Sequence, residues 1–278
     1  MKLFPNASRL GFGCASLGSR IGGREGQRAL SAAFDRGINW FDLAPSYGDG
    51  QAEIIFAEFA RTRRDSIHIC TKCGIAPARI GGLAAAVRPV ARAAVKALPG
   101  LRRLAAGHRA APIKQVLSGD MIRASLDASL RRLGTDHVDV LALHDPAVDE
   151  LGRDDVARAL QDVVASGKAR AAGIAGSVEA IRAGLAAGLA LGHIQLASGL
   201  GLGELRREFA APMDSLFTVT HTVFGRDGVQ DRAAALDLAL AENPQGTVLV
   251  SMFSPEHLEF NLARLLQGVA SSAKLSDI

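Results

Sequence analysis

The sequence predicts an α/β fold, a parallel (β/α)8 TIM barrel. Three observations carry that prediction. Short apolar runs of strand length alternate with amphipathic helical segments along the whole chain. A helix–Gly–strand junction recurs at Gly37, Gly134, Gly167 and Gly192. The 278 residues suit one barrel of about 250 residues, and no break in composition divides them. A single barrel domain over residues 1–278 is therefore expected rather than two domains.

Strand one is expected at residues 9–13. A helix over about 25–36 follows, with Ala29, Leu30, Ala33 and Phe34 on one face, and stops at Gly37. Strand two, residues 38–43, breaks into a loop at Pro45. Helix two runs over about 51–62 on an apolar stripe of Ile54, Ile55 and Phe59, and strand three covers 66–72. A basic stretch intervenes before helix three resumes near Asp120. Its Ile122, Leu126, Ser129 and Leu133 keep the helical period until Gly134. Strand four is 137–144, helix four 154–165 and strand five 169–175. Helix five starts near Ser177 and ends by Gly188, before strand six at 193–197. A short helix six is expected at 204–209, strand seven at 215–220, helix seven at 229–242 and strand eight at 246–250. Helix eight covers 255–266, with Ser254 as its N-cap and Pro255 at its first position.

Three of these strands end on ionisable residues: Asp42 on strand two, Lys72 on strand three and His144 on strand four. Tyr47 lies in the loop just beyond Asp42. In one parallel barrel all four converge on the C-terminal face, where such barrels carry their chemistry. Trp40 shares the strand parity of Asp42 and is expected to point inward, as barrel core rather than as a wall of the pocket.

The motifs F-D-L-A-P-S-Y-G (41–48), I-C-T-K (69–72) and S-L-R-R-L-G-T-D-H-V-D-V-L-A-L-H-D-P (129–146) resemble those of the aldo-keto reductases. The resemblance covers about residues 9–267. It implies a catalytic tetrad of Asp42, Tyr47, Lys72 and His144, and the chemistry of carbonyl reduction agrees. A free phenol, with a pKa of about 10, is a poor proton donor. An ammonium beside it stabilises the phenolate, so Lys72 is expected to bring the Tyr47 pKa below that reference. Asp42 keeps Lys72 charged and in place, and His144 donates to the carbonyl oxygen and aligns it.

The resemblance also implies a nicotinamide cofactor, NADP or NAD, across strands five to eight, and there the chain departs from the family. The usual G-x-S-N is Gly173-Ile-Ala-Gly176, without either polar side chain. Gln195 matches the family's glutamine on strand six, but the Tyr-Asn that follows is replaced by Ser198-Gly199. His221 stands where an aromatic stacks on the nicotinamide. In the strand-eight segment, Ser251 and His257 replace basic residues that grip a 2′-phosphate, and Phe260 replaces a glutamate. Phe253 lies in the loop, Asn261 matches the family, and Ser254 with the start of helix eight is placed to receive a phosphate. The cofactor-binding set expected from the resemblance is thus Gln195, His221, Ser251, Phe253, Ser254, His257 and Asn261. Arg206, Arg207 and Arg226 are the substitute donors considered for the lost charges.

Cys70-Thr-Lys-Cys73 is a C-x-x-C that ends a strand, and no further ligands for a tetrahedral metal accompany it. Cys70 is expected to face inward with Lys72, and Cys73 outward. No metal is expected. Three cysteines argue against a disulfide framework and for a reducing compartment, the cytoplasm. No apolar run is long enough to insert in a membrane, and the start lacks the apolar core of a signal peptide.

The formal charge of +4 hides a divide. Residues 74–118 hold no acid but eight basic residues, among them Arg88, Arg92 and Lys96 at i, i+4 and i+8, and the rest of the chain is net negative. This segment is expected as an insertion with helical character on the catalytic face. The plain reading is a solvated basic surface; the functional one is a lid that attracts an anionic substrate or an acidic carrier protein. It has no aromatics to stack on bases, so nucleic acid is not expected. The leading function is NAD(P)H-dependent reduction of a small aldehyde or ketone, or the reverse oxidation of an alcohol. The alternatives are a redox-neutral lyase, dehydratase or isomerase using the same acid–base groups without a nicotinamide, and a catalytically silent binding subunit.

Overall fold

A computed structural model describes residues 3–77, 112–225 and 230–276. Eight parallel strands close into a barrel. They are β1 (Leu10–Gly13), β2 (Trp40–Asp42), β3 (His68–Cys73), β6 (Val138–His144), β7 (Ala169–Ala175), β8 (His193–Ala197), β9 (Phe217–His221) and β10 (Thr247–Val250), with β10 pairing back onto β1. The helices α1 (Gly23–Phe34), α2 (Gln51–Ala60), α3 (Gly119–Leu133), α4 (Asp154–Ala165), α5 (Val178–Ala186), α6 (Leu202–Glu208), α7 (Ala210–Ser215), α8 (Arg232–Glu242) and α9 (Pro255–Ser276) lie between them.

Local chemistry accounts for most boundaries. Ser118 caps α3 by accepting from the Met121 N–H at 3.2 Å, and Gly134, at φ 65°, ends it in the left-handed conformation. The predicted stripe of Ile122, Leu126, Ser129 and Leu133 is its buried face. Ser177 caps α5 and Ser254 caps α9 in the same way. The expected α4, β7 and β8 have the observed bounds. Three features differ from expectation. Helix α9 runs past Leu266 to Ser276, through a stretch free of proline. A second short helix, α7, follows α6. A two-stranded antiparallel hairpin, β4 (Ile75–Ala76) with β5 (Ile113–Lys114), opens and closes the expected insertion. Residues 78–111 of that insertion lie outside the described residues, so its basic stripe is not placed, and neither is Arg226. The helix expected from Val229 begins instead at Arg232, because Asp231 caps it by accepting from the Ala233 and Ala234 N–H groups.

Inside the barrel the core is narrow. Trp40, Phe217, Val219, Val140 and Leu249 fill it with Cys70, Ala142, Ala171 and Ala175. Trp40 is fully buried there, a core residue as expected. Gly11 makes the room, since a Cβ on it would lie 2.6–3.0 Å from Leu249, Thr247 and Trp40. Phe4 plugs the N-terminal end, its ring 5.3–5.4 Å from those of Trp40, His68 and Phe217 in edge contacts. At that same end buried Asp139 accepts from Arg64 and the Ile69 N–H at 2.9 Å each and lies near His68. The opposite, C-terminal end is thereby left as the polar mouth.

Candidate active site

Strand register brings the predicted residues together. Asp42 pairs with Cys70, Lys72 with Ala142, and His144 with Ala175. Cys70, Lys72, Ala142 and His144 therefore share inward parity at the C-terminal ends of β3 and β6, with Asp42 beside them. The Lys72 ammonium is 2.6 Å from Asp42 Oδ1, 3.0 Å from the Leu43 carbonyl oxygen and 3.4 Å from the Tyr47 hydroxyl. An ammonium has three protons, and here it has three oxygens to receive them. Lys72 and Asp42 are 1% and 3% exposed, so each would be costly to bury without the other. Burial on its own lowers the Lys72 pKa; Asp42 and the neighbouring phenol outweigh it and raise the pKa, so the lysine stays charged.

Tyr47 starts a 3-10 turn (Tyr47–Gly50) tied back by its N–H to Ala44 O at 3.0 Å. Gly48 follows at φ 58°, where a Cβ would lie 2.4 Å from Leu17 O. Only glycine fits, and the Tyr-Gly pair of the motif is explained. The Tyr47 ring lies 5.1 Å from Lys72 Nζ and meets the His144 ring edge-on at 6.2 Å. The expectation that its pKa falls below 10 is corrected. Burial pushes the phenol up to about 12, and the opposing pull of Lys72 does not offset it. Tyr47 is thus a neutral phenol near neutrality.

His144 is driven down to about 3 by burial, with Lys72 and His221 adding to the effect. Its imidazole is neutral, and its Nδ1 is buried without a hydrogen-bond partner among the described residues.

The other side of the mouth differs. The register runs His144–Ala175–Gln195, so only a methyl separates the histidine from the amide. Gln195 is 3% exposed and its Oε1 has no hydrogen-bond partner among the described residues. Asn261 on α9 is 1% exposed, with neither side-chain polar atom bonded among the described residues. His221 ends β9 with Nδ1 2.6 Å from Thr222 Oγ1, and Thr222 is held at φ 58°, a rare conformation for a β-branched residue. Ser251 and His257 are exposed. Phe253 packs edge-on against Phe12 at 4.8 Å, which uses its ring in the core. Of the substitute donors, Arg206 is committed to Glu242 O and Asn243 Oδ1, while Arg207 is exposed. The cysteines face as expected, Cys70 into the barrel and Cys73 toward the helices. All three are free and buried, and burial pushes their thiols up, Cys73 to about 12, so none is a thiolate near neutrality.

Sequence reasoning missed two contributors. The Leu43 carbonyl completes the shell of Lys72, and nothing in a side-chain pattern marks a backbone oxygen. Asp145 follows His144 at φ 47°, beside the mouth; its position in H-D-P was the available signal.

A sequence model described as the Aldo/keto reductase family matches residues 9–184. A 6-dehydroglucose reductase from Agrobacterium fabrum is 34% identical over 154 residues, 53% of this chain and 42% of that protein. A D-threo-aldose 1-dehydrogenase from a Pseudomonas species is 33% identical over 180 residues, 61% of this chain and 50% of that protein. The chain thus spans half or less of the length of these curated relatives. Among solved structures, an aldo-keto reductase from Bacillus halodurans in holo form superposes with a TM-score of 0.72 at 20% identity, covering 93% of this chain and 87% of that one. One from Klebsiella pneumoniae in complex with NADPH gives 0.65 at 19% identity, covering 97% and 91%. These structures share the barrel fold.

Proposed function

The chain belongs to the aldo/keto reductase family, and from that premise we propose that it is an NAD(P)-dependent oxidoreductase that interconverts a small aldehyde or ketone with its alcohol. One observation carries the reading: the buried ammonium of Lys72 bound at once to Asp42, Leu43 O and the Tyr47 hydroxyl.

The residues present fit a nicotinamide dinucleotide at its neutral groups. Gln195 Oε1 is a buried acceptor in want of a donor, as a carboxamide NH2 would be, and Asn261 offers an unpaired amide on the helix after β10. They fit a 2′-phosphate poorly, because Ser251 and His257 bring no fixed charge. The nicotinamide, when bound, exchanges a hydride with the substrate carbon. In the reduction, Tyr47 gives its hydroxyl proton to the carbonyl oxygen. Lys72 then stabilises the phenolate left behind, in a site where water is excluded and charge interactions are strong. Asp42 keeps the ammonium aimed. His144, neutral, presents an N–H to the carbonyl oxygen and orients it. Oxidation of the alcohol reverses each proton movement. The β4–β5 hairpin follows directly after β3.

The test is dinucleotide titration followed by Trp40 fluorescence, Trp40 being the sole tryptophan. Binding of NADH and NADPH at similar, micromolar levels is expected. A hundredfold preference for NADPH would overturn the cofactor assignment. No binding at millimolar levels would overturn the oxidoreductase reading in favour of redox-neutral chemistry or a silent barrel.

A further inference from the structure

Glu53 takes no part in the chemistry above, yet its carboxylate is wholly buried. It lies in the layer between β3 and the helices. Its Oε1 accepts from the Thr71 hydroxyl at 2.7 Å, and its Oε2 accepts from Arg132 Nε at 2.6 Å. Arg132 in turn donates to Ser129 Oγ at 3.0 Å, on the buried face of α3. A buried ion pair adds little to stability by itself, since apolar side chains of similar volume fill such a space as well or better. What this one fixes is position. Both carboxylate oxygens are held, one from β3 and one from α3, by short and directional bonds.

Position matters at this place. Thr71 precedes Lys72 on β3 and has the opposite parity, so Lys72 points into the barrel and Thr71 points out toward the helices. Glu53 stands in the first turn of α2. That helix continues directly from the 3-10 turn of Tyr47, because the Gln51 N–H donates to the Gly48 and Tyr47 carbonyl oxygens. The Thr71–Glu53 hydrogen bond therefore ties the back of the strand that carries Lys72 to the helix that continues from Tyr47. Asp42 and Leu43 are held against β3 in another way, by the sheet. Asp42 pairs with Cys70, and the Leu43 N–H donates to Cys70 O at 2.8 Å. Tyr47 lies beyond that rung. Its contact with the Lys72 ammonium, at 3.4 Å, is also longer than those of Asp42 at 2.6 Å and Leu43 O at 3.0 Å.

We propose that Thr71 and Glu53 are positioning residues for the proton transfer, and that their hydrogen bond sets the distance between the Tyr47 hydroxyl and the Lys72 ammonium. Both act from behind the barrel wall, through Lys72 and Tyr47. The kinetic consequence rests on the oxidoreductase reading; the distance does not.

The test is Thr71→Val, which removes the hydroxyl and keeps a β-branched side chain, beside Thr71→Ser, which keeps the hydroxyl. Tyr47 is the only tyrosine, so each protein is made with 3-fluorotyrosine, whose more acidic phenol brings the titration to lower pH. Its absorbance is followed without ligand. In Thr71→Val the midpoint is expected to rise by about one pH unit, because a more distant ammonium favours the phenolate less. One unit corresponds to about a tenfold change in the equilibrium. In the reduction of propanal with NADH, kcat is accordingly expected to fall about tenfold, with the KM for propanal little changed. Thr71→Ser is expected to match the wild type in both. A hydroxyl with a merely structural role would lower the urea midpoint and leave the phenol where it is. An unchanged phenol midpoint in Thr71→Val would therefore overturn the proposal, and so would a raised midpoint with unchanged kcat. Absence of NADH and NADPH binding would overturn the oxidoreductase reading and the kinetic expectation with it, while the ligand-free titration would still decide the distance.

Discussion

On the β2–β3–β6 side of the barrel mouth, Lys72 meets Asp42, Leu43 O and Tyr47 within 3.4 Å; on the β8–β10 side, Gln195 Oε1 and both polar atoms of the Asn261 amide are buried without a hydrogen-bond partner among the described residues. The first arrangement is complete by itself. Its charges are paired in advance and need no rearrangement when a substrate's oxygen takes on negative charge. On the proposed reading the second is complete only with a ligand. A buried unsatisfied polar group costs about 1–3 kcal/mol, and on the proposed reading the dinucleotide repays that. On that reading the acid–base half is built into the fold, and the cofactor half is built for an occupant.

The largest expected effect breaks the paired side. Lys72→Met leaves Asp42 buried without its cation, which costs about 3–5 kcal/mol of stability as well as turnover. Urea denaturation of the variant without ligand checks the first, and a loss under about 1 kcal/mol would show that water reaches Asp42 and that the pair is not dry.

Tyr47→Phe removes one hydroxyl and should leave the fold intact while lowering turnover at least about a hundredfold. Because Tyr47 is the only tyrosine, phenolate absorbance reports it alone. The wild type should show no titration until well above pH 10, in keeping with a phenol raised to about 12 by burial. A midpoint below 10 would mean that Lys72 outweighs burial, and full activity in Tyr47→Phe would remove it from the chemistry.

Gln195→Leu sharpens the contrast by its opposite sign. Without ligand the variant should be as stable as the wild type or more stable by about 1 kcal/mol, since it deletes a buried amide oxygen that has no partner among the described residues. Its affinity for NADH should drop about tenfold, the equivalent of one hydrogen bond. A variant that is strongly destabilised yet binds NADH normally would show Gln195 to be structural.

Near neutrality the smallest effect is a pH dependence of stability, which grows as the pH falls. Burial lowers both His144 and His193 from 6.5 to about 3, so neither is protonated in the fold near neutrality. The unfolded chain takes up protons as pH falls through 6.5, and the folded chain does not until about 3. Their contribution is therefore fully present above 6.5 and is lost progressively as the pH falls toward 3. The urea midpoint should decline between about pH 7 and pH 4, and less so in His193→Phe. Identical slopes for the two proteins would show that His193 is solvated.

Periodicity and punctuation in the sequence were enough to determine the barrel, most helix boundaries and the meeting of Asp42, Tyr47, Lys72 and His144 at its mouth. Ser118, Ser177, Ser254 and Gly134 act on their nearest neighbours, within four residues, so their effects are legible in order along the chain. Parity along a strand likewise placed Trp40 and Cys70 inside. What only the tertiary structure decided depends on burial and on contacts across the barrel. The pKa of Tyr47 turns on desolvation against one cation, and the sequence shows the cation but not the burial. Phe4 plugs a barrel end that is formed by strands more than 30 residues away. The third acceptor of Lys72 is a backbone carbonyl. Asp145 takes its place from a left-handed turn beside Gly176, which chain order alone sets 31 residues apart from it. Local hydrogen bonds and side-chain period are properties of short segments. Dielectric environment and cross-strand neighbours exist only once the sheet has closed.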